Sequence, residues 1–563
     1  MMASRWISTW ILVYGLVLHP SAWADNSSKA PETAMQAGVD RIFAPWDRQD
    51  SPGCAVTVVR DQRVLYARGY GMANLEHRVS ITPATVFDVG SLAKQFTALA
   101  VVLLHENGKL DLEDDIRKVL PELPSYGKTI KIRHLLHHTS GLREQHDLLR
   151  LAGWRWQDVV TESDILDLVV RQKELNFTPG EEFLYSNTNY VLLAVIVERV
   201  SGSSLAEFAA AHIFRPLGMT NTYFLDDHDT IVPGRASGHI SAEGGGFAIW
   251  NPAFDFVGST SLYSTVEDLA RWDGNFYLPR AGSPGTIALL RKAGRLADGT
   301  ELSYGLGLER GTYRGLAIES HAGSDPGYRA ELMRFPEQRF AVGVLCNLMD
   351  ISATALARQV ADLYLAREIR DAAQSPKNAS PTALAEVDPG SLAGLYWSER
   401  IEGAHRLVAE GGELRLVTSE GPFTLTPIAP RVFQLMAAPR RFTFTFGEPD
   451  RPGAAPRLRV EVAGQRAVDY AKVEDWAPAA ADLESYAGEY RNEETGAQWT
   501  VALRGPRLVL VRAKFEPEPL QPVIRDVFQA SFGVVRFVRE RSRWTGLSLS
   551  TERSRHIRFT KQP

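Results

Sequence analysis

The hydrophobic pattern divides the chain into four stretches. Residues 1–24 hold one cation, Arg5, then an apolar run from Ile11 to Leu18, then Ser21-Ala-Trp-Ala24. That order predicts an export signal cleaved after Ala24. The run is too short to cross a bilayer, which needs about 20 apolar residues. From about residue 35 to 370, helix-period and strand-period segments mix. Residues 55–71 read as a hairpin turning at Arg60-Asp-Gln-Arg63, and 329–347 as two successive strands. Residues 92–104 are apolar on most faces, which predicts a central, buried helix. Ser264-Thr-Val-Glu-Asp268 predicts an N-cap and a helix start. Residues 371–390 are rich in Ala, Ser and Pro, lose periodicity and read as a linker.

Short alternating strands and turns resume after the linker, and they repeat. Leu392-Ala-Gly-Leu-Tyr396 returns as Tyr486-Ala-Gly-Glu-Tyr490. Leu425-Thr-Pro-Ile-Ala-Pro-Arg-Val-Phe-Gln434 returns as Leu520-Gln-Pro-Val-Ile-Arg-Asp-Val-Phe-Gln529. Gly394 to Gly488 spans 94 positions and Phe433 to Phe528 spans 95. The near-constant offset predicts a duplication: two small antiparallel β-barrels, at 391–475 and 482–563.

Composition adds limits. The 563 residues are 44% hydrophobic and 9% aromatic, the profile of a globular chain of several domains. Lys and Arg number 62 against 67 Asp and Glu, for a net charge of −5, or −6 once Arg5 leaves with the signal. That balance argues against a nucleic-acid partner. No later apolar run of 18 residues occurs, so no transmembrane anchor is expected after cleavage. The expected address is outside the cytoplasm, in the periplasm if the host is a Gram-negative bacterium. The two cysteines, Cys54 and Cys346, both lie in apolar strand-like stretches. They read either as one disulfide or as two small core residues. His134, His137 and His138 lack metal-ligand spacing, and no metal or cofactor is expected.

The chemistry starts at Lys94, the only formal charge in its helix. An unpaired buried ammonium is costly, so Lys94 must face a polar site or carry a depressed pKa. Ser91 lies three residues earlier, on the same helix face and at the helix N-terminus. A desolvated lysine there can activate the serine hydroxyl. Tyr185-Ser-Asn187 precedes another apolar helix. Tyr185 can relay a proton near a lysine, and Asn187 can orient Lys94 or a substrate amide. His321-Ala-Gly323 falls on an expected edge strand, where Gly323 lets a substrate backbone approach. His321 can orient a substrate carboxylate or assist proton movement.

The ordered triplets Ser91-x-x-Lys94, Tyr185-x-Asn187 and His321-x-Gly323 resemble the serine β-lactamase and penicillin-binding-protein superfamily. The likeness is to its branch of class C β-lactamases and D-Ala-D-Ala carboxypeptidases, peptidase family S12. Val86-Phe-Asp-Val, Gly108-Lys-Leu-Asp-Leu112, Ile132–Leu142, Thr178-Pro-Gly180 and Pro216-Leu-Gly-Met219 extend it over about residues 35–370. The resemblance implies an α/β domain at 25–370, with a five-stranded antiparallel sheet, flanking helices and a helical subdomain. It implies Ser91 as acylated nucleophile, Lys94 and Tyr185 as shared base and acid, and Asn187 as an orienting residue. The oxyanion hole would use the backbone N–H groups of Ser91 and Ser324. His321, Gly323 and Ser324 would line the substrate. His321 stands where other members carry Lys, and Gly258-Ser-Thr-Ser261 stands where Gly-Gly is frequent. The tail repeats resemble barrels appended to D-aminopeptidases, where a barrel loop can reach the cleft.

The expected function is therefore a secreted serine hydrolase acting on peptides or amides that contain D-amino acids, peptidoglycan fragments among them. A carboxylesterase or weak β-lactamase with the same site is the alternative, and a penicillin-binding sensor or cell-wall-binding protein with slow deacylation is a third.

Overall fold

A computed structural model describes residues 29–373, 387–418, 421–435, 442–448, 456–541 and 543–563. The signal segment 1–24 and most of the expected linker lie outside the described residues. The hairpin forms as expected: β1 (Cys54–Arg60) and β2 (Arg63–Tyr70) turn through Asp61 and Gln62. Both turn residues have positive φ, 51° and 64°, matching the twist of a two-residue hairpin. Four later strands complete the sheet: β3 (Glu309–Tyr313), β4 (Leu316–Asp325), β5 (Tyr328–Phe335) and β6 (Phe340–Cys346). Their order is β3-β4-β5-β6-β1-β2, antiparallel throughout.

The sheet thus has six strands where five were expected, because β3 is added outside β4. β3 pairs only with Leu316–Ser320, so β4 is not an edge strand over its first half. From His321 to Asp325 it projects past β3 while staying paired with β5. The edge expected around His321 is therefore local.

Side chains alternate across a strand, so β1 and β6 feed two cores. Val56, Val58, Val342 and Val344 meet α1 (Lys29–Phe43) and a helix at Ala353–Tyr364 through Phe43, Leu356 and Val360. Ala55 and Leu345 face the opposite core, built around α2 (Ala93–Glu106) and α3 (Asn187–Ser201). Cys54 sits directly opposite Cys346 in the β1–β6 register, and the two form a disulfide. Pairing decides between the two readings left open by the sequence.

The tail forms two antiparallel nine-stranded sheets, both nearly closed. The outermost strands of each are consecutive in the chain, Gly421–Thr424 with Thr426–Ala429, and Glu518–Pro519 with Gln521–Ile524. Details recur from one copy to the other. The Tyr396 hydroxyl donates to Leu392 O (2.9 Å), and Tyr490 to Tyr486 O (2.7 Å). Lys472 Nζ and Lys561 Nζ lie 6.0 and 5.7 Å from those tyrosine rings.

The two barrels attach differently. The first keeps a core of its own around Leu392, Tyr396 and Phe444. The second shares one continuous apolar core with the α2–α3 side of the main sheet, and Trp499 Nε1 donates to Leu151 O (3.3 Å). Across that junction Arg143, its side chain 1% exposed, pairs with Glu494 and also donates to His556 O (3.3 Å). Removing one partner of a buried ion pair costs about 3–5 kcal/mol, because the other charge is left in a dry site. Glu494→Gln should therefore lower stability by about that amount in denaturant melts. An unchanged midpoint would show that the junction does not depend on this pair.

Candidate active site

Gly90–Leu92 forms a tight turn that leads straight into α2, so Ser91 and Lys94 stand one turn apart on one face. The Lys94 ammonium donates to Ser91 Oγ (2.9 Å), Asn187 Oδ1 (2.7 Å) and the Ser259 carbonyl (2.7 Å). Three acceptors exhaust its three protons. Lys94 is fully buried, and that burial brings its pKa down to about 7. Glu144 and Asp325 oppose the shift, and Arg553 reinforces it. When the amine is neutral, Asn187 and Ser259 still accept its two protons, and its lone pair points at the Ser91 hydroxyl. The geometry then suits proton transfer from Ser91 to Lys94.

Asn187 begins α3 and is itself held. Glu144 Oε1 accepts from Asn187 Nδ2 (2.9 Å), and Glu144 Oε2 accepts from the Asn187 backbone N–H (2.5 Å). The chain of contact therefore runs Glu144, Asn187, Lys94, Ser91. The Gly258–Ser261 segment keeps close to the site through backbone. Ser259 supplies its carbonyl to Lys94, and Thr260 Oγ1 donates to Asp325.

The Tyr185 ring centroid lies 4.9 Å from Lys94 Nζ. Its hydroxyl is buried and has no hydrogen-bond partner among the described residues. Burial raises the tyrosine pKa, with Ser91 and Arg553 pulling the other way, so the phenol stays protonated at neutral pH.

His321 sits on β4 with its ring 6.1 Å from that of Tyr185, and it is only 3% exposed. Its tautomer follows from a chain of partners. The Ser186 N–H donates to His138 Nδ1 (3.1 Å), so the His138 proton is on Nε2 and points to the Tyr304 hydroxyl (3.3 Å). Tyr304 donates in turn to His321 Nε2 (3.0 Å), and His321 Nδ1–H reaches Ala322 O (2.7 Å). Burial, and then the Lys94 charge, holds the His138 pKa well below the ordinary histidine value, so His138 is the neutral member of this relay. The relay uses both nitrogens of His321 in its neutral form. It leaves His321 poorly placed for the carboxylate-orienting role expected from the sequence.

Further along β4, Gly323 and Ser324 meet the Gly90 turn. A Cβ on Gly323 would lie 1.9 Å from Val89 O, and one on Gly90 would lie 2.6 Å from Ser324 N. Only glycines allow this approach, which sets the Ser324 amide beside the start of α2.

Residues 37–365 match the family described as Beta-lactamase. The chain belongs to that family. It is 32% identical over 303 residues to "Penicillin-binding protein 4*" of Bacillus subtilis (strain 168), covering 50% of this chain and 65% of that protein. It is 28% identical over 403 residues to a "D-aminopeptidase" of Gluconobacter oxydans (strain 621H), covering 69% of this chain and 74% of that one. The octameric penicillin-binding protein homologue from Pyrococcus abyssi has the same fold, with a TM-score of 0.54 and 24% identity, over 78% of this chain and 99% of that one.

Within this β-lactamase-family site, Ser91, Lys94, Asn187 and Tyr185 come together as expected, and Gly323 and Ser324 flank them. The sequence reading missed Glu144, Tyr304 and the role of His138, and it named no residue of the tail. Yet a loop of the second barrel, between β7 (Arg543–Ser550) and β8 (Ile557–Lys561), reaches the site. Arg553 Cζ lies 5.0 Å from the Tyr185 ring centroid. Nothing in the local sequence around Arg553 signals this. A separate cavity of about 930 Å³, lined by Glu113, Arg133, Lys292, Arg295, Glu301 and Arg310 among others, excludes all of these groups.

The charges around Lys94 predict opposed shifts. The reactivity of Ser91 toward a fluorophosphonate should rise with pH through about 7, as Lys94 loses its proton. Glu144→Gln removes a stabiliser of the ammonium and should move that midpoint down. Arg553→Gln removes a repelling cation and should move it up. Shifts in the same direction, or none, would contradict this electrostatic picture.

Proposed function

We propose that this serine hydrolase forms an acyl-enzyme on Ser91 and acts on peptides or amides containing D-amino acids. One observation carries the reading: a buried amine with a pKa near 7 is placed 2.9 Å from the Ser91 hydroxyl. Lys94 takes the Ser91 proton as Oγ attacks the carbonyl carbon. The resulting oxyanion lies between the N–H groups of Ser91 and Ser324, and two fixed donors of this kind stabilise a transition state by several kcal/mol, roughly. Tyr185, protonated and unpartnered, hands a proton to the leaving amine as the C–N bond breaks. The Lys94 ammonium then restores the Tyr185 proton, and the neutral amine deprotonates the water that attacks the ester carbonyl; that proton passes to Ser91 Oγ as the acyl C–O bond breaks. No step needs a metal or cofactor.

The D-aminopeptidase relative supports the substrate class. The penicillin-binding relative makes a penicillin a reasonable probe and keeps β-lactam acylation as a second reading. The signal-like residues 1–24 and the Cys54–Cys346 disulfide support export to an oxidising compartment, the periplasm in a Gram-negative host.

A fluorophosphonate or fluorescent penicillin should label the protein, and Ser91→Ala should abolish labelling. Persistent labelling of that variant would refute the assignment. Lys94→Ala should slow acylation at least about 100-fold, the scale of a lost general base.

A further inference from the structure

We propose that Arg553 is a specificity residue that binds a carboxylate of the substrate beside Ser91, so that the preferred peptides or amides are anionic. The inference rests on the acyl-enzyme reading of Ser91 and adds the charge of the substrate to it.

The loop that carries Arg553 is pinned on both sides. Thr551 Oγ1 donates to Asp147 (2.5 Å), and Ser554 Oγ accepts from the Glu144 backbone N–H (3.0 Å). Asn176 Nδ2 donates to the Arg553 carbonyl (2.9 Å), and its Oδ1 accepts from Arg555 N (2.7 Å). Arg555 pairs with Glu182 at 3.0 Å. Every one of these contacts fixes the backbone or a neighbour and none engages the Arg553 head group. The guanidinium lies on the Tyr185 ring, 36% exposed, and makes no hydrogen bond with any described residue.

The carboxylates around it are committed elsewhere. Glu144 holds Asn187 and Asp147 holds Thr551, and the exposed Glu552 pairs with the guanidinium only loosely, through Nε at 4.0 Å. A cation whose one described ion pair is a long contact through Nε, at the edge of a reacting centre, is a site for a carboxylate, which a guanidinium binds in a planar, two-bond fork. The other expected carboxylate partner, His321, is engaged by Tyr304 and by Ala322 in its neutral form. Substrate charge is then read by the second barrel and not by His321 on β4.

Protection of Ser91 from fluorophosphonate labelling, in the full chain, tests this with matched peptides. Acetyl-D-Ala-D-Ala and its C-terminal amide differ by one carboxylate on the leaving side. Acetyl-D-Glu-D-Ala amide and acetyl-D-Gln-D-Ala amide differ by one on the acyl side. In at least one pair the acid should protect at concentrations about 10-fold lower or better, the scale of one charge-assisted contact. Arg553→Gln should erase that ratio and Arg553→Lys should keep much of it. Equal protection by acid and neutral partner in both pairs would overturn the proposal, as would a ratio that survives in Arg553→Gln. Labelling of Ser91 in the same proteins shows that the acyl-enzyme reading stands when this one falls. Absence of labelling would sink both.

Discussion

The cost of burying the Lys94 amine is the constraint on which the site turns. An ammonium moved out of water must be met by acceptors or give up its proton, and here both happen in part. Ser91, Asn187 and Ser259 receive its protons, and burial brings its pKa to about 7. A lysine held nearer its ordinary value would be a poor base at neutral pH. One with fewer acceptors would have no fixed direction. The surrounding structure is occupied with keeping those three acceptors in place. Glu144 holds Asn187 from two sides, and Thr260 and Asp325 tie the Ser259 segment to the end of β4.

The second barrel belongs to that support. Its core is continuous with the main apolar core, and its Glu494 pairs with Arg143, the residue before Glu144. Ser554 binds the Glu144 backbone, and Arg553 lies on Tyr185. Position and charge at Lys94 thus depend on a segment more than 350 residues away in the chain. The first barrel, with its separate core, reaches the main unit through contacts such as Arg400 with Glu182.

Local elements were legible because their signals are local. The hairpin, the buried helix after Ser91 and the duplicated tail follow from alternation, apolar density and a constant offset. The sixth strand was not legible: Glu309–Tyr313 is mostly exposed, so it lacks the apolar stripe that marks a strand. The triplets brought Ser91, Lys94, Tyr185 and Asn187 into view through fixed spacing at two helix starts, and His321 and Gly323 through spacing on a strand. Tyr304 and Glu144 escaped because no motif spacing links them to the groups they hold: Tyr304 bridges His138 and His321, and Glu144 meets Asn187 43 residues on.

By itself, the sequence determined which residues could do chemistry: a serine and a lysine one helical turn apart, with a tyrosine and an asparagine at the start of another helix. Backbone periodicity settles such relations before any packing occurs. Only the tertiary structure decided how those groups are charged and what approaches them. Burial depth, the tautomer of His321, the pairing of Cys54 with Cys346 and the arrival of Arg553 at Tyr185 all depend on distances between segments. Spacing along a chain does not carry those distances, since solvent exclusion and charge interaction are properties of neighbours in space.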